Sequence, residues 1–173
     1  MTEPFTFDEV KLLTPKIFAD ERGEFVETFR ANLQAHTFVQ DNLSQSGPHV
    51  LRGLHYRIGE PEGKLVQCVA GVVFDVVVDI RRSSPTFGRW YGTRLSAANH
   101  HQLWIPPGFA HGFYAIIPAT LMYKVTGYYE PRAERSILWS DPQLGIQWPG
   151  GYAPILSPKD ASAPSFADSE LLP

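Results

Sequence analysis

The chain has 173 residues, with 15 basic and 18 acidic side chains and a formal net charge of −3, a length that fits one domain with a sizeable core. The slight acidic excess argues against a general nucleic-acid binder, which would carry a basic face, and no apolar run resembles a signal peptide or a membrane span. We therefore expect a single cytoplasmic domain over residues 1–173, with neither nucleic acid nor membrane as a partner.

Short strands separated by turns are predicted along most of the chain. Gly, Pro, Asn and Asp bound strand-like runs at 24–30, 37–41, 49–57, 64–70, 72–81, 87–96, 102–105, 111–117, 120–129 and 135–139. One short helix is predicted near 31–36, and residues 161–173 are expected to form an irregular, loosely ordered tail. Many short strands at such intervals are typical of a sandwich or barrel, so we predict an all-β fold.

The clearest strand is predicted to run from Phe74 to Arg81. Alternate residues of a strand point to opposite faces, so its even-numbered residues, all apolar, face one way. The odd-numbered residues face the other way and are mostly charged: Asp75, Val77, Asp79 and Arg81. Such a face lines either a polar barrel lumen or a solvated surface.

The run from Val50 to Tyr56 places Arg52 and His55 in a segment that otherwise resembles a buried strand, and Lys64 begins the next one. Charged groups are costly in a core unless they are paired, and histidine titrates near neutral pH, which suits proton transfer. The alternative is a structural histidine held by hydrogen bonds. Strand alternation puts Arg52 and His55 on opposite faces, so both serve one site only if Gly53 introduces a twist or bulge.

Six histidines raise the question of a metal site. Barrel metal sites usually combine two histidines one residue apart with a carboxylate and a third histidine. His55 has no such neighbour, because Leu54 and Tyr56 flank it, and His100 and His101 are adjacent and would face opposite sides of a strand. We therefore expect no bound metal.

Arg22 and Arg52 each lie beside a glycine, an arrangement that suits close approach of a phosphate. Pairing with neighbouring carboxylates is the alternative for both. Three aromatic residues, Phe25, Phe29 and Phe38, offer surfaces on which a nucleobase could stack, or they belong to the core.

Two further polar features follow later in the chain. Tyr123 and Tyr129 share strand parity unless Gly127 introduces a bulge, and a phenol can serve as a general acid, although most strand tyrosines only pack. Asp160 lies in a polar segment near the C-terminus and could orient a histidine, as the third member of many acid–base systems does.

Seven segments, taken in order, resemble the dTDP-4-dehydrorhamnose 3,5-epimerase family of deoxysugar biosynthesis. They are DERGEFVETF (20–29), FVQDNLSQS (38–46), VLRGLHYR (50–57), GKLVQCVAGVVFDVVVDIRRSSPTFGRW (63–90), LWIPPGFAHGF (103–113), YKVTGYYEP (123–131) and LSPKD (156–160). Together they extend over almost the entire chain.

The resemblance implies a cupin-like jelly-roll barrel with short peripheral helices that works as a homodimer without metal or organic cofactor. It also implies a dTDP-linked 4-keto-6-deoxyhexose as substrate. The family's proton acceptor falls on His55, with Asp160 orienting it, and the proton donor falls on Tyr123. Lys64 matches the lysine close to the 4-keto oxygen.

The resemblance further implies a set of substrate-binding positions, of which Tyr129 lies near the sugar. The set is Arg22, Glu27, Gln40, Asn42, Arg52, His111, Tyr129, Glu134 and Lys159. In such dimers the partner subunit supplies some of the N-terminal contacts, and Arg22 and Glu27 are the residues expected to act in this way.

The sequence departs from the family pattern at two places. Arg57 stands where many relatives carry glutamine, and the turn over 116–119 is shorter than usual, which leaves the regiochemistry open. The resemblance favours epimerisation at both C3 and C5. The alternatives are a 3-only or 5-only epimerase, a ketoisomerase that shares the barrel, and a non-catalytic sugar-nucleotide binder.

Overall fold

The computed structural model describes residues 6–31 and 36–173, which form twelve β-strands and one short helix. The strands are β1 (Lys11–Leu13), β2 (Ile17–Asp20), β3 (Gly23–Val26), β4 (Gln40–Ser46), β5 (Leu51–Arg57), β6 (Lys64–Ala70), β7 (Val72–Asp79), β8 (Trp90–Ser96), β9 (Gln102–Ile105), β10 (Phe109–Ala115), β11 (Ala119–Val125) and β12 (Glu134–Ser136). The helix is α1 (Pro158–Ala161). The helix predicted near 31–36 falls mainly on residues 32–35, which lie outside the described part of the chain.

Two antiparallel sheets of five strands pack face to face. Sheet 1 has the order β1-β9-β6-β11-β4 and sheet 2 the order β12-β5-β10-β7-β8, while β2 and β3 form a separate hairpin. Buried side chains from both sheets fill the space between them and make up the interior cluster, which includes Val66, Cys68, Leu103 and Leu121 from sheet 1 and Val73, Val77 and Phe113 from sheet 2. The predicted all-β, cupin-like jelly-roll barrel is confirmed.

The alternation predicted for the strand over 74–81 is present in β7. Asp75 and Val77 are fully buried and face the interior, so the lumen interpretation of this face holds and the solvated one is wrong for Asp75. The even-numbered residues belong to a second apolar group, the outer cluster, on the other side of sheet 2. Both faces of this strand are therefore covered.

The outer cluster is completed by the C-terminal part of the chain. Ile137, Leu144 and Phe166 pack there against side chains of sheet 2, and Phe166 is almost completely buried. Burying one such side chain stabilises the fold by roughly 2 kcal/mol. Arg82 N–H also donates to the Leu172 carbonyl at 3.0 Å. The expectation of loose order over 161–173 is wrong, because a segment without regular secondary structure is held here by apolar packing.

Several predicted strand bounds are also corrected. The strand predicted over 120–129 ends at Val125, so Tyr129 lies in the following loop and does not share a strand with Tyr123. The strand predicted over 37–41 begins at Gln40 and continues to Ser46. Within the described residues, no helix combines the length and apolar character needed to cross a membrane.

Candidate active site

A bulge in β5 brings Arg52 and His55 to the same face. In β10, His111 lies opposite His55 and Phe113 lies opposite Arg52. These two positions are two residues apart in β10, but their partners are three residues apart in β5. The extra residue is accommodated at Gly53, which has a φ of 131°. A Cβ at this glycine would lie 2.5 Å from the Cα of Gly112, so no larger residue fits. The bulge that one shared site requires is present.

His55 is bound to a carboxylate that is far away in sequence. Its Nε2 lies 2.6 Å from Asp160 Oδ1. Asp160 is placed by α1, where Ser157 caps the first turn and its Oγ accepts from the Asp160 N–H at 3.1 Å. The preceding residues are pinned beside β5 because the Ile155 carbonyl accepts from the Leu51 N–H at 3.0 Å.

Asp160 is ionised in this setting. It is only 2% exposed, and burial alone would raise its pKa. The hydrogen bond and the electrostatic interaction with His55, together with bonds to Ser157 and the Gly53 N–H, outweigh burial and hold the pKa of this carboxyl below its usual value. The carboxylate therefore holds Nε2 of His55 as the proton-bearing nitrogen and leaves Nδ1 to exchange protons.

Tyr123 and Lys64 lie on the opposite wall of the barrel. Tyr123 pairs across β11 and β6 with Val66 and packs against the interior cluster, and Lys64 shares the face of Val66 because it precedes it by two residues. Burial first, and then the negative charges of Glu62 and Glu134, raise the pKa of Tyr123. The phenol therefore keeps its proton above the pH at which a free tyrosine loses it.

Polar residues of β4 continue this wall. Gln40 Nε2 donates to Asn42 Oδ1 at 2.8 Å, and its Oε1 accepts from the Tyr129 N–H at 3.1 Å. Asn42 lies directly opposite Tyr123. The Tyr129 side chain is exposed, so its backbone rather than its ring holds it at the site. Arg52 donates from Nε to Ser46 Oγ at 3.0 Å, and no carboxylate among residues 6–31 and 36–173 pairs with it.

His111 and the C-terminal residues complete the group on sheet 2. His111 Nε2 lies 2.9 Å from Oδ1 of the buried Asp75. A cleft of about 330 Å³ opens beside His55, and Arg52, Glu134, Lys159 and Asp160 contribute to its lining. The structure thus gathers predicted site residues from β4, β5, β6, β10, β11, β12 and α1.

Two predicted site residues lie apart from this group. Arg22 is at the tip of the β2–β3 hairpin, 85% exposed and paired with Asp20 at 2.6 Å, as the carboxylate alternative anticipated. Glu27 follows the hairpin and accepts from Arg30 Nε at 3.0 Å. Among the contacts of the described residues, none joins either side chain to His55 or Tyr123 of the same subunit.

The three aromatic residues considered as stacking surfaces for a nucleobase differ in their exposure and in their neighbours. Phe25 is exposed in the hairpin beside Phe18. Phe29 and Phe38 meet edge to face with ring centres 5.5 Å apart, which is ordinary aromatic packing.

Sequence reasoning missed two charged residues at this site. Glu62 lies between Lys64 and Arg57, at 3.4 Å and 3.5 Å respectively, and Asp75 is the partner of His111. The strand alternation placed Asp75 on a charged face that lines either a lumen or a solvated surface, and this was the available signal. Glu62 lies in a loop rich in Pro and Gly, where a carboxylate is usually solvated. In residues 6–31 and 36–173, no group of three or more His, Cys, Asp or Glu side chains is arranged to hold a metal ion.

Comparison with known proteins adds to this geometry. A family model described as dTDP-4-dehydrorhamnose 3,5-epimerase matches residues 4–168. An enzyme of that name from Salmonella typhimurium is 54% identical over 172 residues, covering 95% of this chain and 93% of the relative. One from Neisseria gonorrhoeae is 52% identical, and there the match covers 94% of this chain but only 51% of the relative's length.

Solved structures of similar proteins superpose closely. The epimerase from Legionella pneumophila in complex with dTDP-4-keto-L-rhamnose has a TM-score of 0.92 at 51% identity, with 95% of this chain and 92% of that chain covered. A 3'-monoepimerase from Streptomyces bikiniensis in complex with dTDP-quinovose has a TM-score of 0.88 at 35% identity, with 95% and 87% covered.

Proposed function

Because the chain belongs to the dTDP-4-dehydrorhamnose 3,5-epimerase family, we propose that it is an isomerase that inverts C3 and C5 of a dTDP-linked 4-keto-6-deoxyhexose to give dTDP-4-keto-L-rhamnose. One observation carries this proposal beyond the family. His55, held at 2.6 Å by the buried Asp160, lies on sheet 2, and Tyr123 lies on the interior face of sheet 1. Inversion at carbon needs a base and an acid on opposite sides of the sugar ring.

The chemistry follows from the C4 ketone, which acidifies the hydrogens on C3 and C5. His55 Nδ1 removes a proton, the C–H electron pair forms a carbon–carbon double bond, and the carbonyl pair moves onto O4. Lys64 stabilises the enolate oxygen. The Tyr123 hydroxyl then donates its proton to the opposite face of the same carbon and the ketone re-forms. His55 and Tyr123 regain their starting protonation by exchange with solvent, so one cycle inverts one centre.

The remaining residues of the site bind and orient the substrate. Arg52 and Lys159 provide positive charge for the diphosphate, and Gln40, Asn42, His111, Glu134 and Tyr129 contact the sugar and nucleoside. Interactions far from the reacting carbons fix the ring between the two walls, which raises the rate of the chemical step.

A deuterium experiment tests this function. Incubation with dTDP-4-keto-6-deoxyglucose in deuterated water is expected to give product with deuterium at both C3 and C5, measured by NMR. Label at one carbon alone would instead indicate a 3-only or 5-only epimerase, an outcome made relevant by the likeness to a 3'-monoepimerase. A 3-keto product would indicate a ketoisomerase, and bound substrate without exchange would indicate a non-catalytic binder.

We further propose that the protein works as a homodimer in which the hairpin of one subunit completes the site of the other. Arg22 lies on the hairpin and is exposed, and so are the apolar side chains Ile17, Phe18 and Phe25. Exposed apolar groups on a projecting hairpin suit burial against a second copy. The partner's Arg22 and the partner's Glu27 would then reach the diphosphate and nucleoside.

Subunit mixing tests the shared site. Arg22→Ala and His55→Ala are each expected to be poorly active at low substrate concentration. When the two variants are dissociated and reassociated together, about a quarter of the wild-type activity is expected, because half of the dimers are mixed and each has one intact site. Activity equal to the mean of the separate variants would show that each subunit supplies its own Arg22.

A further inference from the structure

A nearly buried cluster of three charged residues lies beside the proposed site. Arg57 ends β5 in sheet 2, Lys64 begins β6 in sheet 1, and Glu62 lies in the loop between them. One carboxylate oxygen of Glu62 is 3.4 Å from Lys64 Nζ and the other is 3.5 Å from Arg57 Nη1. The side chains of Arg57 and Glu62 are each 10% exposed, and that of Lys64 is 15% exposed. Glu62 therefore bridges the two walls of the barrel.

Arg57 is fixed in place by its surroundings. Its Nη1 donates to the Tyr128 carbonyl at 2.7 Å. A Cβ on Gly127 would lie 2.6 Å from the same nitrogen, so the glycine makes room for the guanidinium. Arg57 also lies directly opposite Glu134 and shares the face of His55, two residues earlier. The charge that Glu62 balances is thus part of the site wall.

We propose that Glu62 is a positioning residue of the reaction, fixing the Lys64 ammonium at the enolate oxygen while Arg57 anchors the carboxylate. This inference rests on the proposed function. Lysine carries its charge on a flexible four-carbon stem, so a fixed carboxylate beside it restricts where the ammonium can lie. Arg57 contacts the other oxygen of the Glu62 carboxylate, so the carboxylate is held from sheet 2 while it faces Lys64.

Glu62 also acts on the proton donor. Burial raises the pKa of Tyr123 most, followed by the charges of Glu62 and Glu134, while the charge of Arg52 lowers it. In the described part of the chain, the other charged or titratable groups near this region include Lys64, Arg57, His55 with Asp160, and His111 with Asp75. Removing the negative charge at position 62 therefore lowers the Tyr123 pKa, and the donor loses its proton at a lower pH.

The experiment compares Glu62→Gln with a matched control in the same loop. Glu62→Gln is expected to lower kcat by about 10- to 100-fold, with KM little changed, because positioning groups typically have effects of this size. The alkaline limb of its kcat–pH profile is expected to shift to lower pH. Glu60→Gln should match the wild type in both respects, since Glu60 is 95% exposed and 3.9 Å from Arg57.

The double variant Arg57→Gln/Glu62→Gln separates charge balance from the effect on Tyr123. It restores the net charge of the cluster to that of the wild type, because one positive and one negative side chain are removed together, so kcat is expected to recover in part relative to Glu62→Gln. Its alkaline limb should stay shifted, because the negative charge at position 62 is still absent. If Glu62→Gln does not fold, the shift of the alkaline limb of the kcat–pH profile is measured in the double variant instead.

The inference is overturned if the folded variants keep the wild-type kcat and the wild-type alkaline limb. It is also overturned if Glu62→Gln changes only the unfolding free energy while kcat per folded molecule is unchanged. Failure of the proposed function is distinguishable from both, because the wild type itself would then not acquire deuterium at both C3 and C5 in deuterated water.

Discussion

His55→Ala is expected to lower kcat for epimerisation by about 10³-fold, within the range that general base catalysis contributes. In the proposed reaction the imidazole removes the C3 and C5 protons, and the Asp160 carboxylate, which lies 2.6 Å from the ring, cannot replace it because it is buried behind the ring. Steady-state kinetics and deuterium incorporation measure the loss. Calorimetric titration with dTDP should give nearly unchanged affinity, since the proposed nucleotide contacts are made by other residues.

His101→Ala is the control for this variant. His101 lies between β8 and β9, and within the described residues its contacts include no side-chain hydrogen bond. It should turn over substrate at the wild-type rate. If His55→Ala keeps an activity within a few-fold of the wild type, His55 takes no part in the reaction. Equal losses of activity in His55→Ala and His101→Ala would indicate a general effect on the fold.

Tyr123→Phe is expected to lower the rate of inversion by about 10²- to 10³-fold while hydrogen exchange continues. His55 can still remove a proton and return a deuteron to the same face, so recovered substrate should carry deuterium without change of configuration. The alkaline limb due to the phenol should also disappear. In the wild type this limb lies above the ordinary tyrosine range, because burial and nearby carboxylates raise the pKa of Tyr123. NMR of label and configuration gives both quantities.

Tyr91→Phe is the matched control, because Tyr91 also packs partly buried against the interior cluster. It should invert both centres at the wild-type rate. Inversion by Tyr123→Phe at the wild-type rate would assign the donor to another group or to water. Loss of exchange together with inversion would mean that Tyr123 is needed for deprotonation or binding as well.

Local rules predicted much of the architecture. Alternation along 74–81 distinguished an apolar face from a charged one, and the structure adds that both are buried. The conflict of parity between Arg52 and His55 pointed to a bulge at Gly53, because only a residue with positive φ and no Cβ resolves it there. These features depend on a few neighbouring residues, and a single sequence contains that information.

Long-range partners were not predictable from local pattern. Asp160 reaches His55 across 105 residues, and only the family resemblance pointed to this pairing. Phe166 looked like part of a loose tail because its packing partners belong to distant strands. The bridging role of Glu62 depends on the meeting of two sheets, which no spacing within its loop encodes. In the proposed homodimer, the position of Arg22 relative to the site depends on the second subunit, which the sequence of one chain does not describe.

A crystal structure of the protein with dTDP-4-keto-L-rhamnose bound tests the central claim most directly. The account predicts that the sugar ring lies between the two sheets, with His55 Nδ1 and Tyr123 Oη about 3–3.5 Å from its reacting carbons on opposite faces, and with O4 turned towards Lys64. His55 and Tyr123 on the same face of the ring, or a sugar bound outside the barrel, would contradict it.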